Sequence, residues 1–242
     1  LPAYQLTSLP AMTALYTELL YRPLLNLVVF LYNVIPGYDF GLAIIVLTAI
    51  IRIIFLPLTI KSVLSQRALN KINPKVKEIK EKYKNNSTAQ QAAILQLYKD
   101  SNVNPVAGCL PLLVQFPILI ALYQVFNSGF KPENLTLLYG FIHNPGLVKE
   151  MFIGIINITK SNYLLTILAG ILQFLQARQM ADSNKNTDMS KEMTALNSQM
   201  LYFFPIIIII IGWNLPAGLM LYWITTTALS IAEQTYIKRK YK

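Results

Sequence analysis

Reactive side chains are scarce in this chain: one cysteine, Cys109, and one histidine, His143, in 242 residues. A single cysteine excludes an intramolecular disulfide framework and a thiolate metal cluster, and a single histidine excludes multi-histidine zinc and haem sites. Charge is scarce too. Charged residues make up 13% of the sequence and hydrophobic ones 54%, whereas a soluble domain is about 25% charged, so the composition points to a membrane protein. Acidic residues are the rarer sign. Eleven Asp and Glu against 21 Lys and Arg give a formal net charge of +10, which suits anionic headgroups, nucleic acid or acidic partners without choosing among them. No basic segment precedes the first apolar run, so no cleavable signal is expected there.

Long apolar runs are what the chain has instead. A helix crossing the hydrocarbon core needs about 20 mostly apolar residues, and five stretches qualify as expected spans: 41–60, 105–127, 162–178, 199–213 and 215–236. Asn214, Pro216 and Gly218 predict a tight hairpin between the last two. The stretch 16–35 is also apolar, but Pro23 leaves only Leu24–Ile35 as clean helix, with Glu18, Arg22, Asn26 and Asn33 on one face. That pattern predicts an outer interfacial helix, turned into the first span by Pro36 and Gly37. A further apolar patch, Leu147–Ile158, is expected to be a second outer interfacial helix.

Sixteen of the Lys and Arg residues fall on one side of this arrangement. Four fall on the other, Arg22, Lys131, Lys149 and Lys160, with Arg52 inside the membrane. The positive-inside rule therefore places the N-terminus outside and the C-terminus in the cytoplasm. The basic segment 61–103 is itself patterned. Val76, Ile79 and Tyr83 recur at helical spacing, Asn85–Thr88 reads as a turn with a capping hydroxyl, and Ile94, Leu97 and Tyr98 resume the period. A cytoplasmic helical hairpin carrying Lys75, Lys77, Lys80, Lys82 and Lys84 is expected, able to meet headgroups, ribosomal RNA or an acidic protein.

Arg52 is the most informative residue. A guanidinium near mid-membrane costs at least ~2.5 kcal/mol and faces a bundle interior or a water-filled cavity. The remaining expected spans contain no Asp or Glu except Glu233, near a cytoplasmic end, so Arg52 is expected to sit in water without a protein partner. Thr48, Arg52, Phe55 and Thr59 share one helical face, and Trp223, Thr227, Ser230 and Gln234 share another. Gln173 and Gln176 share a third, and Gln115 lies between Pro111 and Pro117. Singly, each polar side chain is an interhelical hydrogen bond worth about 0.6 kcal/mol; together they predict a hydrated groove. Catalysis has little to stand on, because His143 lies in an external loop and Cys109 has no base in its span. No enzyme, metal or cofactor is expected. A small channel or secondary transporter using the intramembrane Arg and a passive membrane chaperone or scaffold remain open on these residues.

Four motifs in order carry a resemblance. They are Leu47-Thr-Ala-Ile-Ile-Arg52-Ile-Ile-Phe-Leu-Pro57, Asn73-Pro74-Lys75 in the basic hairpin, Asn104-Pro-Val-Ala-Gly-Cys-Leu-Pro-Leu-Leu-Val-Gln-Phe-Pro117, and Pro216-Ala-Gly-Leu-Met-Leu-Tyr-Trp223. With five apolar runs in the expected order, the chain resembles the YidC/Oxa/Alb membrane protein insertases over about residues 16–240. It is similar to the short bacterial form, without the large extracytoplasmic domain and extra N-terminal span of the proteobacterial proteins. The resemblance implies an all-α polytopic protein: five transmembrane helices around a hydrophilic groove, an interfacial helix and a cytoplasmic helical hairpin. It implies a monomeric insertase and chaperone of the bacterial plasma membrane that works without ATP or cofactor. Arg52, Thr48, Gln173, Ile211 and Trp223 would line the substrate path, with Gln115, Gln176 and Thr227 as additional groove candidates. The implied partners are nascent membrane proteins, the ribosome, the Sec translocon and membrane lipids, but not DNA.

Overall fold

Uncharged runs of Leu, Ile, Val and Phe can satisfy their backbone groups in lipid only internally, and they do so here as helices. The computed structural model describes residues 13–104, 106, 110–128, 131–146, 148–182 and 199–241. Within them, α1 is Thr13–Val34, α2 Phe40–Lys82, α3 Ser87–Asp100, α4 Leu110–Ser128 and the single turn α5 Pro132–Leu135. Strands β1 (Met151–Phe152) and β2 (Ile156–Asn157) follow. The chain continues with α6 (Tyr163–Asp182), α7 (Gln199–Phe203 as a π-turn leading into Phe204–Gly212) and α8 (Ala217–Lys240). By length and composition, Thr13–Val34, Phe40–Lys82 and Tyr163–Ala181 can each cross a membrane, and Leu113–Asn127 and Leu201–Gly212 are shorter apolar helical stretches. Cys109 and the lysines of 183–198 lie outside the described residues.

Four expectations change. Pro23 does not interrupt α1, which is helical for 22 residues. A π-turn at Thr17–Tyr21, in which the Arg22 N–H bonds to the Thr17 carbonyl, widens the helix just ahead of the proline ring and relieves its clash with the preceding turn. The first expected span does not end at residue 60. It runs on through Pro57 and Pro74 as one helix of 43 residues, so the outgoing arm of the basic hairpin is a continuation of that helix. The incoming arm, α3, is capped by an amide rather than a hydroxyl: the Asn86 side chain accepts from the Ala89 N–H at 3.0 Å. Finally, within the expected helix Leu147–Ile158, the described residues 148–158 are not helical. Met151 pairs with Asn157 and Phe152 with Ile156 in an antiparallel hairpin, reversed by positive φ at Ile153 and Gly154. Ile153, Ile155, Ile156 and Ile158 are β-branched, and the run lacks a helical period.

The described residues form two compact units. The first draws on Leu1–Ile51, Val114–Ala169 and Ile209–Thr226. On α2 it buries Phe40, Ala43, Ile44, Leu47, Thr48 and Ile51, a helical stripe. The hairpin strand seals its α8 end: the Ala217 and Gly218 N–H groups, unpaired within their own helix, donate to the Lys160 and Ile158 carbonyls at 2.7 and 2.8 Å. The expected tight turn between α7 and α8 is present, closed by Asn214 N–H to Ile211 and Leu215 N–H to Gly212. Helices α6 and α7 approach closely at Gly212, where an added Cβ would lie 2.8 Å from Thr166 and from Met220.

Helix α1 is fastened lengthwise to the irregular segment after α5. Asn26, 1% exposed, donates to the Arg22 and Leu137 carbonyls at 2.7 and 3.1 Å and accepts from the Tyr139 N–H at 2.6 Å. Arg22 donates to the Leu137 carbonyl and lies 5.0 Å over the Tyr139 ring. Farther along, Asn33 donates to the His143 carbonyl and the Tyr32 hydroxyl accepts from Lys149 N–H.

Packing around Gly218 yields a test. A Cβ there would stand 3.2 Å from Ile44 Cδ1 and 3.3 Å from the Ile158 carbonyl oxygen, which is main chain and cannot rotate away. Gly218→Val should cost about 1–3 kcal/mol of overpacking. Thermal unfolding in detergent should show a clearly lower midpoint for Gly218→Val than for Gly218→Ala.

The second unit comprises Arg52–Leu113, Gly170–Ile208 and Thr227–Lys242 within the described residues. Ser62, Asn70, Val76, Thr227, Ser230 and Ile237 are buried in it. Gln179 ties α6 to α8, donating to the Thr235 hydroxyl at 2.7 Å, while Lys238 donates back to the Gln179 carbonyl at 2.9 Å. Arg67 donates to the Tyr241 carbonyl, fastening the C-terminal end of α8 to α2.

Candidate functional site: an arginine and its carboxylate

Ile53 and Ile54 of α2 are 68% and 63% exposed and face outward, as lipid-facing residues must. Arg52 turns the other way, its side chain 13% exposed. It does not sit unpaired in water as expected. Its Nε donates to Glu233 Oε1 at 3.2 Å and its Nη2 to Glu233 Oε2, a two-point fork on one carboxylate. Nη2 also donates to the Ser230 hydroxyl at 2.8 Å. Ser230 and Glu233 are three apart on α8 and so share a face. The Glu233 side chain is 15% exposed. Taking two charges out of water costs several kcal/mol each, and only such geometry offsets it.

Sequence reasoning passes over Glu233 because it lies near the cytoplasmic end of its expected span. The signal that could have found it was elimination, since it is the one acidic residue available to an arginine that could not face lipid. Spacing puts Ser230 in a polar stripe but does not reveal it as a partner of the guanidinium.

The other expected site residues divide between the units. In the first, Thr48 is fully buried and its hydroxyl donates to the Ile44 carbonyl of its own helix at 2.6 Å. Gln115 donates to the Tyr222 hydroxyl, a partner the spacing did not reveal. Ile211 is 54% exposed and Trp223 half-buried. In the second, Gln173 and Gln176 are half-buried on α6 and Thr227 is buried on α8. The hairpin lysines keep their charge near water: Lys75, Lys82 and Lys84 are exposed and Lys77 and Lys80 half-exposed. Basic character continues at the end of α8, where the Tyr236 hydroxyl beside Lys240 holds its ammonium above the usual lysine range. Among the described residues no group of three or more His, Cys, Asp and Glu could hold a metal ion.

A family model described as "60Kd inner membrane protein" matches residues 30–242. The chain is 35% identical over 223 residues to the Membrane protein insertase YidC of Fusobacterium nucleatum subsp. nucleatum, covering 91% of this chain and 98% of that protein. It is 36% identical over 218 residues to the Membrane protein insertase YidC of Geotalea daltonii, covering 90% of this chain but only 37% of that longer protein. Among solved structures, "Active YidC insertase crystal structure with the first transmembrane domain resolved" is similar at a TM-score of 0.53 and 25% identity, over 85% of this chain and 42% of that one.

Proposed function

Since the chain belongs to the YidC/Oxa/Alb family of membrane protein insertases, we propose that it inserts transmembrane segments from the cytoplasm into the bilayer and assists their folding. Five helices, α2, α4, α6, α7 and α8, form the core of the proposed device. A hydrated groove receives the substrate's polar segment, with Arg52 as its charged element and Thr48, Gln173, Ile211 and Trp223, together with Gln115, Gln176 and Thr227, as its lining. Polar walls lower the cost of bringing a short polar tail into the membrane. Burial of the substrate's apolar helix in lipid supplies the drive, at roughly 25 cal/mol per Å², so no ATP is needed. The observation that carries this reading is an arginine held inward on a helix whose adjacent residues face outward, against a carboxylate that a substrate's acidic residue could replace.

In this reading the protein resides in a bacterial plasma membrane, N-terminus outside and C-terminus cytoplasmic, as a monomer. The hairpin 61–103 is the cytoplasmic element that meets substrates, the ribosome or the Sec translocon. Helix α1 lies along the outer surface. Irregular backbone is not tolerated in lipid, and α1 bonds to the irregular segment 137–149 from Arg22 to Asn33, which favours a helix running beside that segment. The transporter reading is set aside because the relatives matched over 91% and 90% of this chain carry insertase names.

Liposomes containing only this protein test the proposal. A short single-spanning substrate with an acidic N-terminal tail should become protected from protease at a level several-fold above that in empty liposomes. Protection no greater than in empty liposomes, with the protein folded, would overturn autonomous insertion.

A further inference from the structure

Resting on that function, we propose that Glu233 is a displaceable counter-ion: it occupies Arg52 in the resting protein, and an acidic residue of the incoming polar segment takes its place. The fork from Nε and Nη2 to both Glu233 oxygens is the geometry in which any carboxylate would be bound. Glu233 therefore acts as a resident stand-in for substrate. A bare guanidinium within a membrane helix is costly, and Glu233 removes that cost between substrates. Exchange of one carboxylate for another keeps the pairing and the neutralisation, so only the difference between two similar pairs has to be met. Ser230 donates no charge but accepts from Nη2 at 2.8 Å, which keeps the guanidinium aimed while its carboxylate partner changes. Both members of the pair retain some exposure, 13% and 15%. Glu233 also lies only two helical turns from the end of α8 at Lys240, close to where a released carboxylate is rehydrated.

A substrate that must first displace Glu233 sees only the fraction of molecules in which Arg52 is free. Apparent affinity is reduced by that fraction, and selectivity follows: tails with a carboxylate can enter the exchange, whereas neutral tails gain nothing from it. Glu233 is thus a specificity-determining residue for the same site.

The test uses the full chain in proteoliposomes and two substrates that differ only in an acidic or a neutral N-terminal tail. Glu233→Gln keeps the side-chain shape and removes its charge. It should raise the insertion rate of the acidic-tailed substrate relative to that of the neutral-tailed one, by about tenfold if Arg52 is free in about a tenth of wild-type molecules. An unchanged ratio of the two rates, an equal fall for both substrates included, would overturn the exchange. Wild-type protection above empty liposomes judges the insertase reading separately, whichever way Glu233→Gln falls. A second measurement does not depend on the folding of Glu233→Gln. In Arg52→Lys protein, a carbodiimide should couple the introduced amine to Glu233 as an amide, and an engaged acidic-tailed substrate should suppress that coupling while a neutral-tailed one does not. Coupling that is indifferent to substrate would make the pair a fixed interhelical staple.

Discussion

Arg52→Ala should lower insertion of an acidic-tailed substrate by about tenfold or more and also destabilise the protein, and the two losses should be separable. Breaking a buried pair by removing one partner costs about 3–5 kcal/mol, because the remaining charge is left without compensation. Residual exposure of the pair places Arg52→Ala toward the lower end of that range. Loss of insertion in the single variant is therefore ambiguous, since a protein strained around an orphaned Glu233 inserts poorly for reasons unrelated to substrate. The double variant Arg52→Ala with Glu233→Gln removes both charges. It should recover most of the thermal midpoint in detergent and none of the insertion. Arg52→Lys keeps a point charge and loses the fork; it should cost about 1 kcal/mol of stability and largely spare insertion. Recovery of insertion in the double variant would show that the arginine's charge is not used on substrate.

The second large effect is expected in the first unit, at Asn26. Asn26→Leu should lower the thermal midpoint, because the Tyr139 N–H loses its acceptor and the Leu137 carbonyl keeps only Arg22 as a donor. Each buried polar group left unsatisfied costs about 1–3 kcal/mol. Asn26→Asp tests the mechanism. It keeps the volume and the acceptor for Tyr139 but sets carboxylate oxygen against two carbonyls, so it should be nearly as damaging as Asn26→Leu. Proteolysis of the segment 131–149 should accelerate in both variants relative to wild type. A variant in which the midpoint drops and the segment stays protected would mean that Arg22 and Tyr32 suffice to hold it.

Helicity of the apolar runs was legible because a backbone surrounded by lipid-like side chains has few alternatives, and α2, α4, α6, α7 and α8 all fall on runs that the residue pattern picked out. The inward face of α2 was legible from spacing alone, since Thr48 and Arg52 sit one turn apart beside buried Leu47 and Ile51. Partners across helices were not. The spacing within α8 groups Ser230 with Trp223 and Thr227, yet nothing in one strip of sequence states which residue of another helix lies opposite, and so Arg52 was left in water and Gln115 without Tyr222. Pro23 misled for a different reason. Its cost presupposes a regular α-helix, and the π-turn before it changes the geometry to which that cost applies. Leu147–Ile158 misled because apolar content without a period does not distinguish helix from strand.

The seal at the start of α8 is built from main-chain atoms on both sides, Ala217 and Gly218 N–H against the carbonyls of Lys160 and Ile158. Outside Glu150 and Asn157, whose side chains accept from Thr159 and Lys160 and so shape the strand's exit, the side chains of the β-hairpin can therefore change without loosening it, whereas the number of residues between Glu150 and Lys160 cannot change freely. Relatives with little identity along this loop could keep the same closure, and one inserted residue would undo what many substitutions leave intact.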